Sequence, residues 1–399
     1  DRLLISLRKP WELPGGITHP AGTLLSVGIP EFCAKGTAAK FDVLFAPTSR
    51  CSLSDFNATK NYLILQMLDN VCLRTQFWRW DGASSTWVDE GAEPEAQILG
   101  ASLHPLDPDV SDEYFMTTNS YTRPSTLSIA DAAKGPAGVP VAQVLKKLPD
   151  MFDAKGIVAT QGEAESADGA RIPYFVVSRE DMPRDGTTPT LLYGYGGFEI
   201  SMEPGYNSLV GAGWLEKGGC YVVANIRGGG EFGPSWHQAA LRENRQRAYD
   251  DFIAVGEHLV QTGITSSKHL GIRGGSNGGL LMGNMLAQRP DLFGAVVCAV
   301  PLLDMKRFSH LLAGASWMAE YGNPDTEDWE FLQKYSAYHN LDPSVEYPPL
   351  LMTTSTKDDR VHPYHARCFV KRLMDMGKED KVFYFENIEG GHGGAADAK

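Results

Sequence analysis

The segment of this chain best suited to catalysis contains a serine flanked by glycines. Gly274, Ser276 and Gly278 form a Gly-x-Ser-x-Gly motif, which follows the apolar run 270–273 and precedes a helix-like segment from Leu280 to Gln288. In this strand–turn–helix setting the motif is typical of a nucleophile elbow, a tight turn that lifts the serine hydroxyl above a sheet. The helix amino terminus would stabilise negative charge that develops during a reaction. We predict that Ser276 is a nucleophile; the alternative is a glycine-rich structural turn.

A serine nucleophile needs a base, and the base needs a carboxylate that orients it. In the α/β-hydrolase arrangement these follow the serine in the order acid, then histidine. One apolar strand downstream, residues 350–354, ends shortly before Asp358 and Asp359, at the rim where the elbow would lie. Adjacent side chains in a loop point in different directions, so we expect only one of the two to reach the histidine. Spacing alone does not separate them.

His392 is the expected base. It follows the last predicted strand, residues 382–386, and lies between two pairs of glycines. Such a loop suits an imidazole that must serve both the serine and the leaving group. His362 and His365 also follow the candidate acids, but they lie at the start of a predicted helix, where we expect them to face solvent. The alternative is that His392 is a loop histidine without a role.

Hydrolysis through a tetrahedral intermediate also needs donors for the oxyanion. The backbone N–H of Asn277, directly after the nucleophile, is one candidate. The second is expected from a loop after an early strand, and the segment from Tyr193 to Phe198 has the required glycines. Tyr195 in that loop carries a hydroxyl that could donate; the alternative is a packed aromatic ring. This catalytic set requires no metal and no organic cofactor.

The composition excludes several other classes of function. The formal net charge is −13 with no basic stripe, which disfavours nucleic acid as a partner, and no apolar run reaches membrane-spanning length. The six cysteines are scattered without metal-type pairing, so we expect free buried thiols and a reducing compartment such as the cytoplasm.

The ends of the chain suggest a piece of a longer protein. It begins with Asp1 rather than Met and stops at Lys399, shortly after the glycine-rich loop. No signal peptide is visible, but a missing amino terminus would hide one, so a periplasmic or secreted location stays open.

A chain of 399 residues is expected to form two domains. Residues 1 to about 150 contain short apolar or alternating runs separated by turn residues, which predict an all-β sandwich, barrel or propeller. Helical spacing first appears at Val141–Leu148. The predicted strands are Thr23–Ile29, Phe41–Phe45, Tyr62–Leu68, Gln76–Trp80, Tyr114–Thr118 and Thr126–Ile129.

Residues 151–399 show a different pattern, in which wholly apolar strands alternate with helices. This pattern predicts an α/β fold with a mostly parallel sheet covered on both faces. The predicted strands are Tyr174–Val177, Thr190–Tyr193, Tyr221–Ile226, Leu270–Arg273, Ala295–Val300, Leu350–Thr354 and Val382–Glu386. The predicted helices are Ala248–Thr262, Leu280–Gln288, Trp329–Tyr335 and Tyr364–Met376.

With these residues in place, the region from about 150 to 399 resembles the catalytic domain of the prolyl oligopeptidase family of serine peptidases. Six ordered motifs over some 200 residues carry the resemblance: Tyr193–Phe198, Ala224–Gly233, Gly274–Gly279, Arg289–Gly294, Asp358–Val361 and Gly391–Gly393. Residues 1–150 match less distinctly. The resemblance implies that they are the last blades of a truncated β-propeller, and that a closing carboxyl-terminal helix is missing from the α/β-hydrolase domain.

The resemblance also implies roles for individual residues. It selects Asp358 over Asp359 and implies a triad of Ser276, Asp358 and His392, with an oxyanion hole made by the Tyr195 hydroxyl and the Asn277 N–H. Arg360 would bind a substrate carbonyl near the scissile bond; the alternative is a surface salt bridge. The family's proline pocket corresponds here to Phe198, Leu302, Trp317, Tyr321 and Val361.

Trp317 matters most for specificity, because a flat apolar wall suits a pyrrolidine ring. Glu320 is close in sequence, but proline-specific members also have an acid there, so we do not interpret it as a selector of basic residues. Leu302 replaces the smaller valine usual in the family, which leaves the depth of the pocket open.

The expected function is therefore hydrolysis of short peptides after proline through an acyl-enzyme, by a monomer whose propeller excludes folded proteins. The alternatives within enzymes are a basic-specific oligopeptidase, an acylaminoacyl peptidase or a carboxylesterase. The alternatives outside enzymes are an inactive truncated fragment and a propeller binding module beside a silent hydrolase domain.

Overall fold

The structure is a computed structural model that describes residues 2–139 and 141–394. The described chain divides into two compact units. The first comprises residues 2–154, 203–212 and 230–236, and the second comprises residues 155–202, 213–229 and 237–394. Two short segments from the second half of the sequence thus belong to the first unit. A single boundary near residue 150 therefore does not separate the two units completely.

The first unit is built mainly from β-strands, and its longest α-helix is α1 (Ile29–Lys35). The strands are β1 (Arg2–Ser6), β2 (Trp11–Leu13), β3 (Ile17–His19), β4 (Leu24–Gly28), β5 (Asp42–Phe45), β6 (Cys51–Ala58), β7 (Tyr62–Asp69), β8 (Cys72–Asp81), β9 (Thr86–Ala92), β10 (Gly100–Pro105), β11 (Glu113–Asn119), β12 (Thr126–Asp131) and β13 (Gln143–Lys147).

Two successive four-stranded antiparallel sheets dominate this unit, β6-β7-β8-β9 and β10-β11-β12-β13. A four-stranded antiparallel sheet is the blade of a β-propeller. Ile64 and Phe77 of the first sheet share a buried core with Leu103 and Tyr114 of the second, so the two sheets stabilise each other. The expectation of a partial propeller in the amino-terminal half is confirmed. The smaller sheets are β1-β4-β5 and β2-β3.

One expectation in this unit was wrong. Val141, Val144, Leu145 and Leu148 have the spacing of an amphipathic helix, yet residues 143–147 form the edge strand β13, which pairs antiparallel with β12. All five β13 side chains are exposed, so their spacing reflects no buried helix face. The backbone hydrogen bonds that β12 offers decide the conformation, and they are not visible in the local pattern.

The second unit contains one eight-stranded sheet in the order β14-β15-β17-β16-β18-β19-β20-β21. The strands β14 and β15 are antiparallel, and the six strands from β17 to β21 in that order are parallel, which confirms the predicted mostly parallel sheet. The bounds are β14 (Ile157–Glu165), β15 (Arg171–Arg179), β16 (Thr190–Tyr193), β17 (Cys220–Ala224), β18 (Leu270–Gly275), β19 (Ala295–Ala299), β20 (Leu350–Ser355) and β21 (Val382–Asn387).

The three longer helices of this unit pack on the sheet. The helices that follow α1 along the chain are α2 (Ser208–Val210), which belongs to the first unit, α3 (Pro234–Gln238), α4 (Gln246–Gln261), α5 (Asn277–Gln288), α6 (Met318–Tyr321), α7 (Trp329–Leu332) and α8 (Tyr364–Asp375). The helix α4 packs on β14 and β15, α5 on β18 and β19, and α8 on β20 and β21. Because parallel strands end at the same edge, the loops after β16, β18, β20 and β21 meet there.

The cysteines are free thiols, as predicted, but not all of them are buried. Cys72, Cys220 and Cys298 are buried, whereas Cys33 is exposed. Among the described residues, no helix has the length and apolarity needed to cross a membrane.

Candidate active site

Ser276 occupies the turn between β18 and α5 in a strained conformation, with φ 58° and ψ −118°. A side chain in this region costs on the order of 1–3 kcal/mol and persists only where the surroundings hold it. Here the Ser276 N–H donates to the Ala299 carbonyl at 3.0 Å, and the N–H groups of Gly279 and Leu280 donate to the Ser276 carbonyl. The turn is therefore fixed by backbone hydrogen bonds on both sides of the serine.

The glycines of the motif are required by close backbone contacts. A Cβ on Gly274 would lie 2.3 Å from the Gly278 carbonyl oxygen, and a Cβ on Gly278 would lie 2.9 Å from the Gly194 carbonyl oxygen. No side chain fits at either position without moving backbone. The packing therefore explains why glycine stands at both positions of the Gly-x-Ser-x-Gly motif.

Asp358, rather than Asp359, contacts the histidine. Its Oδ2 lies 2.7 Å from Nδ1 of His392, and its Oδ1 accepts the N–H groups of Arg360 and Val361 at 2.9 and 2.8 Å. Burial alone would raise the pKa of Asp358, but these hydrogen bonds together lower it below its usual range. A charged carboxylate at Nδ1 assigns the imidazole proton to that nitrogen and leaves Nε2 free to act as a base.

One of the two other candidate histidines, His365, does not behave as expected. His365 was predicted to face solvent, but it is buried, and its Nδ1 accepts the N–H groups of Leu303 and Asp304. Burial lowers the pKa of His365 to about 3, so the imidazole is neutral and structural. The prediction was wrong because His365 lies on the same buried face of α8 as Phe369.

Tyr195 lies in the loop after β16, and its side chain lines the same cavity as Ser276, close enough for the two hydroxyl groups to interact. Burial raises the pKa of this phenol, so it stays protonated and can donate. Asn277 is the first residue of α5, where a backbone N–H has no acceptor within the helix. The structure thus brings both candidate oxyanion donors next to the nucleophile.

The side chain of Asn277 has a role that the sequence did not reveal. Its Nδ2 donates to the Tyr195 carbonyl oxygen at 2.6 Å, and its Oδ1 accepts from Arg245 Nη2 at 2.6 Å and from the Tyr321 hydroxyl at 2.7 Å. Arg245 was not among the predicted residues at all. It has no motif of its own, and it lies well before the elbow in sequence, so no local signal marks it.

A cavity of about 260 Å³ opens beside the serine. Four predicted substrate-binding residues, Phe198, Leu302, Trp317 and Arg360, line it, together with two residues that were not predicted. The complete lining is Tyr195, Phe198, Ile200, Ser276, Leu302, Ser316, Trp317 and Arg360. The wall is largely apolar and aromatic, and none of its lining residues is acidic.

The two remaining predicted pocket residues are not among those that line the cavity. Tyr321 is fully buried, and its ring packs edge-on against Phe198 with centroids 5.7 Å apart. Val361 is also buried, and its N–H supports Asp358. Tyr321 thus supports the wall at Phe198, whereas Val361 supports the candidate acid Asp358.

Glu320 is not among the residues that line the cavity. Its Oε1 accepts from the Phe198 N–H at 2.9 Å and from Arg245 Nη1 at 3.0 Å, and its Oε2 lies 2.7 Å from His237 Nε2. Burial alone would raise the pKa of Glu320, but His237, Arg245 and the Phe198 N–H lower it overall. The carboxylate is therefore charged and fully engaged, which agrees with its not selecting basic substrates.

Comparisons with known proteins point to one family. A model of the prolyl oligopeptidase family matches residues 208–399. An uncharacterised peptidase of Sinorhizobium fredii, y4nA, is 46% identical over 392 residues, 98% of this chain and 52% of that protein. A prolyl endopeptidase of Elizabethkingia miricola is 38% identical over 284 residues, 70% of this chain and 39% of that protein.

The same similarity appears among solved structures. A post-proline cleaving enzyme from Rickettsia typhi matches with a TM-score of 0.87 and 34% identity, over 98% of this chain and 55% of that one. This chain therefore spans about half the length of the Sinorhizobium and Rickettsia proteins.

Proposed function

Because the chain belongs to the prolyl oligopeptidase family of serine peptidases, we propose that it carries the centre that hydrolyses short peptides on the carboxyl side of proline. The observation that supports this most is the cavity in which Ser276 meets an apolar wall formed by Phe198, Leu302 and Trp317. The relatives from Elizabethkingia and Rickettsia are named for cleavage at proline.

The first half of the proposed reaction forms an acyl-enzyme. His392 Nε2 accepts the Ser276 proton as the serine oxygen attacks the prolyl carbonyl carbon, and Asp358 holds the imidazole in the required tautomer. The carbonyl oxygen becomes an oxyanion that accepts from the Tyr195 hydroxyl and the Asn277 N–H. The tetrahedral intermediate then collapses, the peptide C–N bond breaks, and His392 gives its proton to the leaving amine.

The second half releases the product. Water takes the place of the amine, gives a proton to His392 and attacks the acyl carbon, which regenerates the oxyanion on the same two donors. Collapse of this intermediate breaks the bond to Ser276 and frees a peptide that ends in proline. His392 gives the proton it took from water to the Ser276 oxygen as that bond breaks, so the enzyme regains its starting protonation state and the cycle consumes one water.

The cavity is suited to proline before the scissile bond. Trp317 and Phe198 offer flat aromatic surfaces, and Leu302 closes the wall with an aliphatic group. Arg360 can donate to a substrate carbonyl as well as carry charge. A cationic side chain would find no acidic partner among the lining residues, because Glu320 is engaged by Arg245 and His237.

The same proposal extends to the architecture of the whole protein. We assign residues 1–150 to the last blades of a β-propeller and residues 151–399 to the peptidase domain. In the complete protein the propeller would admit short peptides and exclude folded chains.

A panel of blocked chromogenic peptides that differ only in the residue before the cleaved bond tests the assignment. We expect Gly-Pro to be cleaved much faster than Gly-Arg or Gly-Ala, and Trp317→Glu to lower the rate on Gly-Pro. Preference for Gly-Arg would overturn the proline assignment and identify a basic-specific oligopeptidase. A blocked single amino acid and a simple ester are assayed beside the panel, and preference for either would identify an acylaminoacyl peptidase or an esterase respectively.

A further inference from the structure

We propose that Arg245 is a positioning residue that fixes the spacing between the two oxyanion donors. This inference rests on the proposed peptidase function, because it assigns the oxyanion to the Tyr195 hydroxyl and the Asn277 N–H. Arg245 contacts neither the cavity nor the nucleophile, and it acts through Asn277 and Glu320.

Arg245 is a buried cation with two separate acceptors. It directly precedes α4 and is 1% exposed. Its Nη2 donates to Asn277 Oδ1 at 2.6 Å, and its Nη1 donates to Glu320 Oε1 at 3.0 Å. A planar guanidinium holds its donors at a fixed angle, so the two acceptors are held in a fixed relation.

At Asn277 the guanidinium decides which way the amide faces. Oδ1 has two lone pairs, and Arg245 and the Tyr321 hydroxyl occupy both. The NH2 group must therefore face the opposite way, where Nδ2 donates to the Tyr195 carbonyl oxygen at 2.6 Å. The Asn277 side chain thus connects the two residues that supply the oxyanion donors, Asn277 itself and Tyr195.

The same cation also supports the strained loop that follows Tyr195. Phe198 and Glu199 both have left-handed backbones, with φ of 56° and 57°, which non-glycine residues adopt only when held. The backbone of Phe198 is held by a hydrogen bond from its N–H to the same Glu320 oxygen that Arg245 binds. A Cβ on Gly197 would lie 2.6 Å from Asn277 Nδ2, so the loop packs directly on this network.

Loss of the two hydrogen bonds that Arg245 donates should weaken binding of the transition state more than binding of the peptide. The oxyanion forms only during reaction, so an error in donor spacing lowers kcat and leaves KM nearly unchanged. Arg245→Lys is the informative change, because it keeps a cation beside buried Glu320. A single ammonium cannot reproduce two donors at the guanidinium angle.

The test is a double-mutant cycle between Arg245→Lys and Tyr195→Phe, measured as kcat and KM on a Gly-Pro peptide. In the otherwise native chain we expect Arg245→Lys to lower kcat by roughly tenfold or more, with KM changed less than about threefold. In the Tyr195→Phe background, which has lost the second donor, the same change should cost less than about threefold. Equal losses in the two backgrounds would show a general structural effect and overturn the proposal.

Arg247→Lys is the matched control. Arg247 lies two positions further along, on α4, and its side chain is 45% exposed beside Asp168. It touches no residue of the network, so kcat should match that of the native chain within about twofold. A loss equal to that of Arg245→Lys would contradict a specific role for Arg245.

Labelling with a fluorophosphonate separates failure of this inference from failure of the proposed function. The reagent reacts with an activated serine and places a phosphoryl oxygen where the oxyanion forms. If the native chain neither reacts nor cleaves peptide, the peptidase assignment fails and the role of Arg245 with it. If the native chain reacts and Arg245→Lys reacts equally fast, only the role of Arg245 is overturned.

Discussion

His392 Nδ1 lies 2.7 Å from Asp358 Oδ2, and the second oxygen of that carboxylate accepts two backbone N–H groups. The carboxylate is thereby kept charged and rigid, and it can hold the imidazole in one tautomer. Asp359, its neighbour in sequence, is exposed. The pair therefore offers a variant and a matched control at adjacent positions.

Asp358→Asn should lower kcat by about 10³–10⁴-fold, because the amide favours the wrong imidazole tautomer while the geometry stays intact. Asp359→Asn removes the same charge one position away and should leave kcat within about twofold. Steady-state hydrolysis of a Gly-Pro peptide measures both. Equal losses in the two variants would contradict the assignment of Asp358.

Acid should weaken the fold partly through Asp358. Its pKa is lowered in the folded state, so its contribution to the free energy of unfolding is full above the unfolded value of about 3.9 and is lost as pH falls through the lower folded value. Urea unfolding of the native chain and of Asp358→Asn at pH 6, 5, 4 and 3 measures this contribution as a difference. We expect the difference to shrink on acidification below about pH 4; a constant difference would count against the lowered pKa.

Gly274→Ala should destabilise the elbow, because the new Cβ would lie 2.3 Å from the Gly278 carbonyl oxygen. We expect a loss of about 1–3 kcal/mol in the free energy of unfolding, together with a large loss of activity. Gly213→Ala is the control, since a Cβ there meets nothing within 4 Å. Urea unfolding of both variants measures the effect, and equal stabilities would show that the turn is looser than described.

Tyr195→Phe should lower kcat by about 10²–10³-fold with little change in KM, because one oxyanion donor is lost. Tyr193→Phe removes a hydroxyl two positions earlier, at the end of β16, and should have little effect on kcat. Kinetics on a Gly-Pro peptide distinguish the two variants. A large rise in KM with unchanged kcat would instead assign the Tyr195 hydroxyl to substrate binding.

Sequence patterns predicted the elements whose residues are contiguous in the chain. The elbow could be found because its glycines, strand and helix are contiguous in sequence. The parallel strands could be found because each is apolar along its length. The Asp358–His392 contact joins residues 34 apart, and choosing Asp358 required a family resemblance rather than spacing.

The features that sequence analysis missed depend on distant partners. Arg245 reaches Asn277 across 32 positions and Glu320 across 75, and no local motif encodes either contact. The residues of β13 have helical spacing, but they form a strand because the partner β12 supplies the backbone hydrogen bonds. His365 is buried by the packing face of α8, whereas its neighbours in sequence suggested an exposed helix start.

Hydrolysis of a blocked Gly-Pro chromogenic peptide, by this chain and by Ser276→Ala in parallel, is the most direct test of the central claim. We predict cleavage after proline by the native chain and a fall of at least about 10³-fold in the variant. Cleavage that persists at the native rate in Ser276→Ala, or no cleavage by folded native protein, would contradict it.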